Sequence, residues 1–378
     1  MRHYAELVRR IPELSDGRLR VRRWHRRDVS AIVDALEDGS VSEWIVGMPN
    51  PYTRDDAKRF VARAGAELES GIGAHLALED VRRGVVVGAM AVELRGVRQA
   101  AEMGYWIAPN ERGRGYTCAA LRMLMAWAYH DLGLARLELV VHVRNPFSQY
   151  VAARSGFRRE GIARAYLEHR GVRGDYFIFA RLAHDLDPPP HPVLKTTAAS
   201  PGTAPLALLL RPWKMADADV VVPWLREDDQ VRRWSITIEY PVSVERERLY
   251  FAAAWRSWNE LGTPAFAVVD EQSGEIVGSA SAMRGQTPGT AELGYMVRPQ
   301  ARGRGVATAA LNAVTDWCLG PGGFSACELQ IDPQNIASQK TAEAAGYLRT
   351  CISRTCADTG GRVHEHLVFS RRAGEKPA

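Results

Sequence analysis

One long segment occurs twice in this chain, at a constant offset of 190 residues. Ala-Glu-Met-Gly-Tyr leads to Arg-Gly-Arg-Gly between Ala101 and Gly115, and Ala-Glu-Leu-Gly-Tyr leads to Arg-Gly-Arg-Gly between Ala291 and Gly305. The offset continues through Trp127 and Trp317, Glu138 and Glu328, Asn145 and Asn335, Ser148 and Ser338, and Gly156-Phe157 and Gly346-Tyr347. Many copies of a short repeat would build a solenoid, whereas two long copies build two complete globular domains. The 378 residues divide into halves of the usual size for one core, ~100–200 residues.

Between the copies, Asp187-Pro-Pro-Pro-His-Pro opens a stretch to Pro205 whose prolines block helix and ladder hydrogen bonds. A linker is predicted over 187–205, separating domains over 18–186 and 206–372. An N-terminal extension (1–17) precedes them and a polar tail (373–378) follows. Within each copy the order is an opening strand, two helices, a hairpin and a strand feeding the glycine loop. A helix, another strand, a short helix and a closing strand pair come next. Long crossovers and hairpins together predict a mixed, mostly antiparallel sheet flanked by helices, an α/β fold. Thr53 and Ser243 are the expected caps of the second helices, and Asp28 that of the first.

With 46% hydrophobic and 25% charged residues the composition is that of a globular protein. No window holds the ~20 apolar residues of a membrane helix, and the N-terminus lacks a signal-peptide core. A cytoplasmic protein with no membrane partner is expected. Five cysteines, unmatched between copies and without metal-ligand spacing, point to reduced buried thiols and no metal. The net charge of +5 permits a polyanionic partner, yet the basic run Arg22, Arg23, Arg26, Arg27 interleaves only Trp24, so nucleic acid is not expected. Trp213, Trp224, Trp234, Trp255 and Trp258 read as core of the second copy, with one or two rings available to an acceptor pocket.

The loop before the central helix carries the chemistry. Amides at a helix N-terminus lack intrahelical partners and attract anions, and glycines let that backbone approach a phosphate closely. Arg112, Gly113, Arg114, Gly115, Tyr116 and Thr117 form the first such loop, and Arg302, Gly303, Arg304, Gly305, Val306 and Ala307 the second. A pyrophosphate suits this arrangement. The P-loop and dinucleotide fingerprints are missing.

Arg302-x-x-Gly305-x-Ala307 between a strand and a helix resembles the acyl-CoA loop of the GNAT acyltransferase superfamily. The Glu-x-Gly-Tyr strands, the Asn-x-x-Ser helix starts and Gly156-Phe-Arg-Arg-Glu-Gly161 resemble its RimJ/RimL-like branch, the amino-terminal acetyltransferases of ribosomal proteins. The resemblance spans nearly the whole chain twice. It implies two tandem GNAT-like domains with acetyl-CoA as co-substrate, its pyrophosphate held by amides 112–117 and 302–307. It implies further that Asn145, Ser148, Asn335 and Ser338 line the pantetheine arm or thiol. Thr117 stands where the motif has Gly or Ala, so crowding is expected in the first loop.

Acyl transfer to an amine requires a neutral amine, a polarised carbonyl and a protonated leaving thiolate. Glu102 and Glu292 are the first candidates for the base, against a buried structural role. Ser148 and Ser338 are candidates for the proton donor, against helix capping. No cysteine repeats at the loop, so direct attack on the thioester is expected. The implied function is acetyl transfer to a primary amine, most of all a peptide or protein N-terminus. The alternatives are a small-molecule, antibiotic or natural-product amine, or a non-catalytic, CoA-binding or scaffold role for one domain. The two copies are expected as a pseudo-dimer within a monomer, or as part of a homodimer.

Overall fold

Strands with apolar side chains on alternate positions and helices with one apolar stripe leave each copy one arrangement that buries both, helices laid against a sheet. The computed structural model describes residues 2–95, 99–235, 238, 240–357 and 363–374. The chain separates into two units, 1–188 and 189–378.

The first unit runs α1 (Arg2–Arg9), β1 (Leu14–Ser15), β2 (Leu19–Arg23), α2 (Val29–Leu36), α3 (Arg54–Ser70), β3 (Gly73–Asp80), β4 (Val85–Leu94) and β5 (Ala100–Ile107). It continues with α4 (Tyr116–His130), β6 (Arg136–His142), α5 (Pro146–Arg154), β7 (Arg158–His169) and β8 (Val172–Leu182). The sheet order is β1-β2-β3-β4-β5-β6-β8-β7, antiparallel except for the β5–β6 pair. On one face α4 buries Leu121 and Leu124 against Leu76, Met103 and Leu137. On the other, Trp24, Ile32, Leu36 and Trp106 form a second core beneath α2 and α3.

The second unit repeats this with β9 (Leu194–Ala198), β10 (Leu206–Pro212), α6 (Asp217–Glu227), α7 (Asp229–Trp234), α8 (Val244–Leu261), β11 (Ala265–Asp270) and β12 (Ile276–Arg284). Then come β13 (Thr290–Val297), α9 (Val306–Leu319), β14 (Ala326–Ile331), α10 (Ile336–Ala344), β15 (Leu348–Ala357) and β16 (Val363–Arg372). Its sheet order is β15-β16-β14-β13-β12-β11-β10-β9, and β13–β14 is its parallel pair. Trp213, Trp224 and Trp258 are buried, as core residues should be.

Three local expectations change. The N-terminal extension is part of the first unit, since Val8 and Ile11 enter its core and β1 pairs with β2. The stretch read as a linker contains β9, because the prolines cluster before it and Leu194-Lys-Thr-Thr-Ala198 is free to pair with the edge of β10. Asp28 does not cap α2 through its side chain. Its carboxylate takes two bonds from the buried Arg22 guanidinium, at 2.7 and 3.0 Å, and one from the amide of His25. Thr53 and Ser243 do cap α3 and α8, accepting from the amides of Asp56 and Arg246. Of the described thiols, Cys318 and Cys327 are buried, Cys118 is half-buried and Cys351 is exposed, so the expectation of burial holds for part of the set, and the side chain of Cys356 lies outside the described residues.

Candidate active site

β5 and β13 each end in a short 3-10 turn, Pro109–Glu111 or Pro299–Ala301, that swings the chain into the glycine loop. Gly113, Gly115, Gly303 and Gly305 all have φ between 73° and 79°, the left-handed region that other residues enter only at a cost. The N-cap of α4 is Gly115 and that of α9 is Gly305, so neither helix has a capping side chain. Among the described residues, the amides of Gly113–Thr117 and Gly303–Ala307 meet no backbone acceptor. Exposed donors on a backbone without Cβ atoms fit a pyrophosphate.

The loops are braced differently. Arg112 donates to the carbonyl of Ile107 at 3.4 Å and to Ser40 Oγ at 2.9 Å. Arg302 donates to the equivalent carbonyl of Val297 at 3.1 Å but forms an ion pair with the buried Asp228. Both motif arginines thus turn back onto the protein, and among the described residues only the second forms an ion pair with a carboxylate. Arg114 pairs with Glu111 at 3.5 Å. Tyr116 is buried and its hydroxyl donates to Asp80 at 2.5 Å, which, with the Arg83 amide, lowers the Asp80 carboxyl to about 2. A Cβ on Gly115 would meet nothing within 4 Å, whereas one on Gly305 would lie 2.3 Å from the carbonyl oxygen of Ala199. The space beside Gly305 is closed by the β9–β10 connection, and that beside Gly115 is open.

Next to each loop the sheet opens. β5 and β6 pair only from Ala100↔Arg136 to Glu102↔Glu138, and β13 and β14 only from Thr290↔Ala326 to Glu292↔Glu328. Beyond those rungs the strands have no ladder between them, leaving edge groups for an extended ligand to bond. Tyr105 and Tyr295 reach across the opening. Each hydroxyl donates to the carbonyl of the first helical turn beyond it, Ser148 or Ser338, at 3.3 Å. Asn145 and Asn335 cap those helices by accepting from the amides of Ser148 and Ser338 at 3.1 Å. The capping role thus falls to asparagine, and the two half-buried serine hydroxyls have no hydrogen-bond partner among the described residues.

At the vertex of each opening stand the glutamates. Side chains alternate across a strand, and Ala101 and Met103 enter the α4 core. Glu102, Glu138 and His142 therefore share the opposite face. Glu102 forms an ion pair with Arg95, and Glu138 one with Arg136 at 2.6 Å, whose guanidinium also holds Glu160 at 2.5 Å. In the second unit Gln330 Nε2 donates to Glu292 Oε2 at 3.1 Å. Burial pushes the Glu292 carboxyl up; the Gln330 bond acts against this and the charge of Glu328 with it.

Arg95, Gln330, Tyr105, Tyr295 and His142 were not singled out by sequence reasoning. The tyrosines carried a signal, since the repeat preserves both. His142 sits between Trp44 and Tyr176, at ring distances of 5.8 and 5.1 Å, and its ring fits only because residue 174 is glycine.

The sequence profile of the Acetyltransferase (GNAT) domain matches residues 18–158 and again residues 207–348. The chain belongs to the GNAT acetyltransferase family. It is an acyltransferase built from two tandem GNAT domains. YjcK of Bacillus subtilis (strain 168), described as a probable N-acetyltransferase, is 29% identical over 136 residues, covering 35% of this chain and 75% of YjcK. YdaF of the same organism, named provisionally as a ribosomal N-acetyltransferase, is 31% identical over 150 residues, 38% of this chain and 79% of YdaF. RimJ of Mycobacterium smegmatis, solved with CoA-disulfide, is 26% identical, covers 47% of this chain and 88% of its own, and gives a TM-score of 0.42. Among the described residues of this GNAT protein, no helix is long and apolar enough to cross a membrane.

Proposed function

We propose that this protein transfers the acetyl group of acetyl-CoA to a primary amine, with a peptide or protein N-terminus as acceptor. The observation that carries this reading is the joining of three features in one opening. Unpartnered amides lie at its mouth, strand edges without a ladder line its walls, and a glutamate stands at its vertex. Acetyl-CoA supplies an activated acyl carbon on a thiol leaving group. Amides 112–117 and 302–307 would hold its pyrophosphate, and the open edges of β5 and β6, or β13 and β14, its pantetheine amides.

A glutamate at the vertex takes the ammonium proton of the acceptor and frees the nitrogen lone pair. The new N–C bond forms to the acyl carbon as the C–S bond breaks, and the sulfur leaves with that electron pair. Ser148 or Ser338, hydroxyls with no hydrogen-bond partner among the described residues, would give a proton to the departing thiolate and regain one, through solvent, from the nitrogen that has become an amide, so that one ammonium proton ends on the glutamate and the other on sulfur. Peptide acceptors are favoured by the likeness to YdaF. The adjacent carboxylates Glu292 and Glu328 would also suit a small cationic amine.

Titration calorimetry with acetyl-CoA, then mass spectrometry of peptides with free N-termini and of aliphatic polyamines, tests the reading. Binding followed by a mass gain of one acetyl group on the α-amine is expected. Absence of binding would overturn it, and acetylated polyamines without acetylated peptides would replace the acceptor.

A further inference from the structure

We propose that the acid–base work of this chain resides in the C-terminal copy, with Glu292 as base and Gln330 as the residue positioning it, while Arg95 withdraws Glu102 from that role in the N-terminal copy. This rests on the acetyltransferase reading above and names which site performs it.

The duplication supplies an internal comparison. Arg95 donates its amide to the carbonyl of Ala100 at 2.8 Å, and Gly285 does the same to Thr290 at 2.9 Å, so the two positions are equivalent. The side chain that neutralises Glu102 is therefore absent at Gly285. Arg136, the partner of Glu138, is matched by Ala326, and Glu160, held by the same arginine, by Thr350. Val140, apolar and on the same face as Glu138, is matched by Gln330, which reaches Glu292. Two of these differences remove cations, at Gly285 and Ala326, one removes an anion, at Thr350, and one adds a neutral donor, Gln330. The register places Arg372 opposite Ala326, where the first copy has Leu182 opposite Arg136, so the cation of the second copy stands on β16, one rung beyond Ser370.

The chemistry of the two carboxylates diverges accordingly. A carboxylate beside a guanidinium is stabilised in its ionised form, which makes it a poor proton acceptor. A half-buried carboxylate held at one oxygen by an amide keeps its other oxygen for a proton and is more basic. The groups on the Glu292 face of the neighbouring strands are Met283 on β12, Glu328 and Gln330 on β14, and Ser370 and Arg372 on β16, opposite Glu328 and Ala326. Arg284, the nearest cation along β12, is turned to the carbonyl of Leu261 at 3.0 Å.

The test compares variants of the full chain in acetyl transfer to whichever amine the wild type modifies, across pH. Glu292→Gln is expected to lower kcat/KM about 100-fold, the low end of general-base effects, and at least tenfold more than Glu102→Gln does. Gln330→Val, which installs the residue of the first copy, is expected to move the acidic limb of the pH profile to higher pH. Glu328→Gln, which removes a like charge, moves it to lower pH. A second readout needs no turnover. In carbon-13 spectra of glutamate-labelled protein without acetyl-CoA, the carboxyl signal lost in Glu292→Gln should titrate above the ordinary range and rise further in Gln330→Val.

Equal losses in both glutamate variants, a larger loss in Glu102→Gln, or an acidic limb unmoved by Gln330→Val would overturn the proposal and leave the acetyltransferase reading standing. A wild type that binds no acetyl-CoA would overturn both.

Discussion

Tyr295 Oη donates to the carbonyl of Ser338 at 3.3 Å, and Tyr105 makes the same bond to Ser148 in the other copy. Each tyrosine starts on the strand bounding one side of the opening and ends on the helix that follows the other side. The bond ties the two walls where no ladder does. Burial pushes both phenols up, so they remain protonated donors throughout the neutral range. Tyr295→Phe keeps the ring and removes one bond, and should cost about 1 kcal/mol. Urea unfolding reads this, and hydrogen exchange should locate the loosening at the first turn of α10.

The buried charges under α2 give a larger effect. Arg22 bonds Glu79 at 2.6 Å and Asp28 at 2.7 Å, with its side chain 3% exposed. Removing it leaves two carboxylates in the interior, so Arg22→Ala should destabilise the first unit by about 3–5 kcal/mol. The pH response should invert as well. Burial raises the Asp28 carboxyl and the Arg22 bonds outweigh it, leaving it lowered in the native protein. That stability exists above the ordinary carboxylate range and fades as pH falls through the native value. Without Arg22 mild acid should stabilise the unit, and melting curves from pH 7 to 4 check this.

Glycines equivalent in sequence should not respond equally. Gly115→Ala forces a left-handed backbone on alanine, about 1 kcal/mol, into open space. Gly305→Ala meets the same strain and a carbonyl oxygen at 2.3 Å, so its midpoint of chemical denaturation should fall further. Equal shifts would mean that the Ala199 segment yields.

Acid sensitivity of the first loop is predicted from Asp80. The Tyr116 hydroxyl and the Arg83 amide hold its carboxyl near 2 against an ordinary 3.8. The stability this contributes is complete above about pH 4 and is lost as pH falls toward 2. Tyr116→Phe should flatten the decline of melting temperature in that window and leave its slope at neutral pH unaltered.

Much of the architecture could be read from the chain before any coordinates. The 190-residue offset set the number of domains, alternation and helical spacing set the order of elements, and Thr53 and Ser243 marked helix starts. The glycine loops stood out because their conformation restricts them to residues without a Cβ. These are local properties, carried within a few residues of one another. β9 was hidden for the same reason. Five residues beside a proline run become a strand only when the edge of β10 is available to pair with them.

The site divided along the same line. Sequence by itself determined that each copy has a glycine loop before a helix and a glutamate on the strand before that loop. It could not determine what each glutamate touches. Arg95 reaches Glu102 across a hairpin, and Gln330 reaches Glu292 from a strand 38 residues later in the chain, after a whole crossover helix. Likewise, whether the loop arginine meets a hydroxyl, as at Ser40, or a buried carboxylate, as at Asp228, depends on segments 72 and 74 residues away. Local pattern encodes backbone conformation, because that energy is spent between neighbours in sequence. The charge state of a carboxylate depends on burial and on partners brought to it in space, and only the folded sheet decides those.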